Sequence, residues 1–130
     1  MNDDPMDWRR KLILFDGLAA LTAGLIVLPL SRWFSEWYGL PFQFIVSMGL
    51  VNLAYACYSL SLAVSKVRPM ILVILLAVAN AAWSIACFGF AGFFWQTAGA
   101  LGIAHLLGEG VFVGTLASLE WRWRRFLALP

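Results

Sequence analysis

The sequence predicts an all-α protein, a four-helix transmembrane bundle with both termini in the cytoplasm. Three observations carry the prediction. The 130 residues are 62% hydrophobic and 12% charged, with a mean hydropathy of +0.83, whereas soluble domains have about 45–50% apolar and ~25% charged residues. Four segments are each long enough for the ~30 Å hydrocarbon core, which takes roughly 20 apolar residues to cross. Eight of the nine cations fall on one side of those segments. The same composition excludes disorder, because disordered chains are poor in apolar and aromatic residues. Nine Lys+Arg against seven Asp+Glu give a net charge of +2, too little for a nucleic-acid binder.

The expected spans cover about residues 12–30, 42–65, 70–90 and 96–119. Four spans use about 80 positions, so the chain reads as a single integral membrane domain over 1–130, without linkers or an internal repeat. The alternation of a membrane β-strand is absent. The first span has a basic start like a signal peptide, but its apolar run is too long and no small-residue cleavage site follows.

Pro29 falls near the end of the first span, where a lost backbone hydrogen bond costs least. Ser-Arg-Trp-Phe-Ser-Glu-Trp-Tyr over 31–38 then reads as an aromatic segment in the outer interface, and Gly39-Leu40-Pro41 turns the chain into the second span. Arg68-Pro69 makes the tight inner turn before the third. Trp33, Trp37 and Trp95 mark the outer membrane interface, and Trp121 and Trp123 the inner one, as aromatic belts do. The tail Trp121-Arg122-Trp123-Arg124-Arg125 alternates ring and cation, which suits anionic headgroups.

Arg9, Arg10 and Lys11 precede the first span, Lys66 and Arg68 join the second to the third, and Arg122, Arg124 and Arg125 follow the fourth. Only Arg32 lies on the other side. Such bias places both termini and the second loop in the cytoplasm, and an odd number of spans would break it. The expected location is the bacterial inner membrane, multi-pass.

Ionisable groups inside a span cost ~2.5–3.5 kcal/mol each on insertion scales. Asp16, His105 and Glu109 bear that cost here, and Asn52 and Asn80 join them as amides. At 1.5 Å per residue, Asn52, Asn80 and Glu109 fall near the midplane, His105 about 6 Å outward of Glu109, and Asp16 roughly 7 Å inward. Helical spacing puts His105 and Glu109 on one face, Asn80, Trp83, Ser84 and Cys87 on one stripe, and Asn52, Tyr55 and Ser59 on another. Ala19, Ala20 and Ala23 share the face of Asp16. Lipid satisfies none of these polar groups, so the stripes converge inside the bundle.

Asp16, Asn52, Tyr55, Asn80, Trp83, His105 and Glu109 are therefore the candidate ligand-binding residues. Two readings compete. In one, amides and carboxyls join helices, each bond contributing about 0.6–2 kcal/mol. In the other, the polar centre binds a lipid-like or other small amphiphile, or moves protons. Gly110-x-x-x-Gly114 is a small-xxx-small contact pattern, read as packing within the bundle.

Other chemistries fit poorly. Cys57 and Cys87 differ in depth by about 16 Å, beyond the ~7 Å between Cα atoms that a disulfide allows. A single histidine gives no bis-histidine haem, and His105 with Glu109 supplies two ligands of a metal set. No phosphate loop, catalytic triad or nucleotide fingerprint occurs. No metal or cofactor is expected. The expected partners are membrane lipid and a small amphiphilic ligand or another membrane subunit, in a monomer or an oligomer.

Three resemblances follow from these residues. Asp16 in the first of four spans is similar to the membrane carboxylate of small multidrug exporters, although their dual insertion needs a weaker charge bias than eight to one. His105/Glu109 with Asn80/Trp83 resembles, in another chain order, the His-x-x-x-Glu and Asn-x-x-Trp pairs of membrane sterol isomerases. Proton transfer by Glu109, His105 and Asp16, in a transporter or an isomerase-type enzyme, is the alternative that these two imply. Over nearly its whole length the chain resembles a widespread group of small, functionally uncharacterised four-span bacterial inner-membrane proteins. Asp16, Gly24, Gly39-Leu40-Pro41, Gly49, Pro69, Asn80-Ala81-Ala82-Trp83 and Glu120 before basic residues carry that likeness. Glu109 departs from it, standing where a neutral polar residue is expected. The group implies fold and location but no activity.

Overall fold

A computed structural model describes residues 5–128, with side chains from residue 10 onward. The elements are α1 (Pro5–Val27), α2 (Ser31–Tyr38), α3 (Phe42–Val64), α4 (Met70–Phe93), α5 (Ala100–Arg122) and α6 (Arg124–Leu127). Among the described residues there is no strand. Helices α3, α4 and α5 are each long and apolar enough to cross a membrane. A fourth crossing is reached when residues 10–27 of α1 are taken with α2 as one span bent by 90°. Residues 10–27 do not stand alone as a crossing because they open on Arg10 and Lys11 and carry Asp16 within the apolar run. The side chain of Arg9, counted with those cations, lies outside the described residues.

Helix ends shift from the expected bounds for local reasons. α1 stops at Val27, and Ser31 Oγ donates to the last carbonyls, Val27 at 3.0 Å and Leu28 at 2.7 Å. α2 ends at Gly39, whose φ of 65° is left-handed. Glycine is the residue that adopts this conformation without strain, and a Cβ there would sit 2.9 Å from the Gly99 nitrogen. Gly99 in turn donates its N–H to the Tyr38 carbonyl at 2.8 Å. That bond holds residue 99 in an extended conformation, so α5 starts at Ala100 instead of residue 96. The helix then continues through Glu120 to Arg122, past the expected end at 119.

Packing divides the helices into two pairs, α1 against α3 and α4 against α5. Glycines let the first pair approach closely: a Cβ on Gly24 would lie 3.1 Å from the Gly49 carbonyl oxygen. In the second pair, Gly110 lies under the Phe88 ring and Gly114 against Ser84, the packing role expected of the Gly110-x-x-x-Gly114 pattern. Ser84 Oγ donates to the Gly110 carbonyl at 2.6 Å.

The two pairs meet at their ends. At the basal end, where α6 and the 65–69 turn lie, Ile13, Leu62, Val73, Leu76 and Leu127 form one apolar cluster. At the apical end, beside α2, Leu40, Ile45, Met48, Ala91 and Leu106 form another. Arg68, expected in the tight inner turn as one of the cytoplasmic cations, is 2% exposed. It donates to the Leu127 carbonyl at 3.0 Å and to the Ala63 carbonyl at 3.2 Å, tying α6 under the bundle. Trp123 also departs from expectation. The helix breaks there into α6, and the ring packs against the basal cluster instead of standing beside Trp121.

Trp33, Trp37, Trp95 and Trp121 are exposed. Trp33 and Trp37 lie with ring centroids 4.1 Å apart on the outer face of α2, and Arg124 covers Trp121 at 4.3 Å. Cys57 is exposed and Cys87 buried, both free thiols.

Candidate functional site

Between the helix pairs lies a cavity of about 690 Å³. It exists because the facing side chains at mid-height are small: Ala19, Ala20 and Ala23 on α1 look across at Ala79, Ala82 and Ala86 on α4. All seven candidate residues line it: Asp16, Asn52, Tyr55, Asn80, Trp83, His105 and Glu109. Val51, Ala79 and Phe112 belong to both its lining and the outer surface, so the cavity reaches the flanks of the helices.

The polar groups form two clusters, not one ring at a single depth. The apical cluster is a row from α2 to α4. The Tyr38 hydroxyl lies 3.3 Å from His105 Nδ1, and His105 Nε2 lies 3.1 Å from Glu109 Oε2. Trp83 Nε1 donates to Glu109 Oε1 at 3.0 Å. The partners assign the tautomer: with the proton on Nε2, His105 donates to Glu109 while Nδ1 accepts from Tyr38. Both Glu109 oxygens then accept, as a carboxylate does, with lone pairs to spare. His105 is 37% exposed and Glu109 15%, so the pair is open to the cavity.

The second cluster lies one turn down α4, because Asn80 precedes Trp83 by three residues, about 4.5 Å of rise. Asp16 Oδ2 accepts from the Tyr55 hydroxyl and from Asn80 Nδ2, the latter at 3.1 Å. The same Nδ2 lies 3.1 Å from both oxygens of Glu120. Asp16, Asn80 and Glu120 are each at most 2% exposed. One amide thus joins carboxyls from α1 and α5. Among the described residues no Lys or Arg comes within ion-pair distance of either. Buried charges are ordinarily paired; here Asn80 and Tyr55 donate to the cluster, and the Asp16 and Glu120 carboxyls lie within hydrogen-bonding reach of each other.

Asn52 is the weakest-tied of the seven: its Nδ2 donates to the Met48 carbonyl of its own helix at 3.1 Å, and its amide also lies within hydrogen-bonding reach of Glu109. Two residues of the site are not among the sequence candidates. Tyr38 falls in the aromatic segment assigned to the interface, and its phase on α2 was the signal available: Phe34 and Tyr38 share a face one turn apart. Glu120 lies beyond the expected end of the fourth span, next to Trp121-Arg122, where a carboxyl reads as a surface charge.

Among the described residues, no group of three or more His, Cys, Asp or Glu side chains is placed to hold a metal ion. Compared with known proteins, the chain matches no family model, no curated protein and no solved structure.

Proposed function

We propose that this chain is a four-span protein of the bacterial inner membrane, with both termini cytoplasmic, whose intramembrane cavity binds a lipid-like amphiphile. The observation that carries the reading is the 690 Å³ cavity between the helix pairs. Its volume lies within the range of about 300–1,000 Å³ typical of small-molecule sites, which combine apolar walls with a few placed polar groups. Apolar side chains such as Leu50, Ile71, Ile85, Phe93, Leu101 and Val111 face outward, an arrangement that suits lipid and not water. The eight-to-one cation bias supports the orientation.

Two measurements test this reading. Alkaline phosphatase fused after Gln96 is expected to be active and after Lys66 inactive; the reverse pattern overturns the orientation. Native mass spectrometry of the purified protein is expected to show a bound lipid-like mass. Ala23→Trp combined with Ala79→Trp fills the cavity from both helix pairs and is expected to abolish that adduct. A folded double variant that keeps it overturns the cavity as the binding site.

A second reading rests on the Tyr38–His105–Glu109 row, in which an imidazole and a carboxylate stand hydrogen-bonded at the cavity wall. Such a pair is equipped for general acid–base transfer to a bound amphiphile, as in an isomerase or a proton-coupled transporter. For the enzymatic form, incubation in heavy water is expected to place deuterium on carbon in the bound molecule with the wild-type protein and not with Glu109→Gln. An unlabelled ligand leaves binding alone.

A further inference from the structure

Resting on the amphiphile-binding reading, we infer that the head group the cavity takes is cationic: a lipophilic amine whose ammonium sits at Glu109 while its apolar body fills the space toward Ala20, Ala79 and Met48. The acid–base inventory of the walls points there. Asp16 and Glu109 line the cavity, and Glu120 stands behind Asp16, whereas no Lys or Arg lines it. His105 is the one basic side chain in the lining, and its Nε2 is already engaged with Glu109.

The acceptor with room for a ligand is Glu109. It accepts from Trp83 and His105, with the Asn52 amide also within reach, and a carboxylate has about four lone-pair sites. An ammonium brings donors and no acceptor, which matches that carboxylate. An anionic head would meet like charge, and a zwitterionic head would bury a phosphate with no cation to receive it. Trp83 and Tyr38 contribute rings beside the carboxylate, and cations are attracted to aromatic faces within about 6 Å. The apolar remainder of the cavity excludes a small hydrophilic amine, which would leave most of the volume unfilled.

The test compares head groups on one tail. Protein is reconstituted in phosphatidylcholine nanodiscs, and binding of tritiated hexadecanol is measured as the excess over the Ala23→Trp/Ala79→Trp protein, which removes partition into the bilayer itself. Hexadecylamine, hexadecanol and hexadecanoate then compete. The amine is expected to displace the probe at about tenfold lower membrane mole fraction than hexadecanol, the scale of one desolvated charge contact, with hexadecanoate weakest. Glu109→Gln is expected to erase the preference for the amine while hexadecanol still binds. Equal competition by all three heads overturns the cationic head group and leaves the cavity reading standing, as does a preference that survives Glu109→Gln. Absence of hexadecanol and amine binding above the filled protein overturns both. The wild-type comparison needs no variant of the polar row, so it decides the head group even if Glu109→Gln fails to fold.

Discussion

Asn80→Leu is expected to lower stability by about 1–3 kcal/mol, the scale of leaving buried polar groups unsatisfied. The substitution keeps the side chain's bulk and removes the one amide that faces both Asp16 and Glu120. Those carboxyls come from opposite helix pairs, so the loss is felt across the cavity and not along a single helix. Tyr55 remains for Asp16, but Glu120 loses the amide and is left facing the Asp16 carboxyl. Asn52→Leu is the matched control. Its amide bonds a carbonyl of its own helix and reaches one carboxyl, Glu109, which keeps Trp83 and His105 as donors, and single polar contacts in membrane helices average roughly 0.6 kcal/mol. Reversible unfolding in mixed micelles, followed by circular dichroism, measures both. Equal losses in the two variants would show that Asn80 is one amide among several, with no special place at the centre.

The difference between these two asparagines also marks what the sequence makes legible. Length and hydropathy identify α3 to within a residue and α4 and α5 to within four at their ends, because a span is a property of a continuous stretch. The convergence of Asp16, Asn80, Trp83, His105 and Glu109 is legible for a similar reason: lipid cannot satisfy them, and helical periodicity gives each a face. What periodicity cannot supply is the partner. Asn52 and Asn80 look alike in the sequence, yet one back-bonds its own helix and the other bridges two carboxyls. The separation of the polar groups into two clusters depends on the relative heights of four helices, and no single helix encodes that.

Errors concentrate where a span meets its surface. Glu120 and Arg68 carry charge within a few residues of expected helix ends, and charge there ordinarily marks topology. Three further residues of α5 draw Glu120 inside, and the return of α6 covers Arg68. The 90° bend after α1 likewise brings Tyr38 back over the cavity, where the aromatic segment alone suggested only a headgroup anchor. The division into pairs α1/α3 and α4/α5 was hidden for a different reason. Nearly uniform apolar helices carry little angular signal, and only the glycines that permit close approach hint at which neighbours touch.

One such glycine controls the apical end. A Cβ built on Gly102 would lie 2.5 Å from the Tyr38 carbonyl oxygen and 3.2 Å from its carbonyl carbon. Backbone, unlike a flexible side chain, cannot step aside cheaply, and this carbonyl is also held by the Gly99 N–H at 2.8 Å. Gly102→Ala is therefore expected to destabilise the protein by about 1–3 kcal/mol, the usual range for overpacking a tight contact. Helix propensity opposes the loss, since Ala is favoured over Gly by about 0.8–1.0 kcal/mol in a helix interior. Gly89→Ala measures that opposing effect by itself: nothing lies within 4 Å of its Cβ position, so it should be neutral or slightly stabilising. The functional consequence follows from geometry. Relief of the clash must move α2 off α5, carrying the Tyr38 hydroxyl away from His105 and opening the apical side of the cavity. Gly102→Ala should thus weaken amphiphile retention more than Gly89→Ala at equal folded fraction, read as loss of the bound adduct in native mass spectra. Unchanged retention in a folded Gly102→Ala protein would mean that α2 is a surface feature and that Tyr38 takes no part in closing the site.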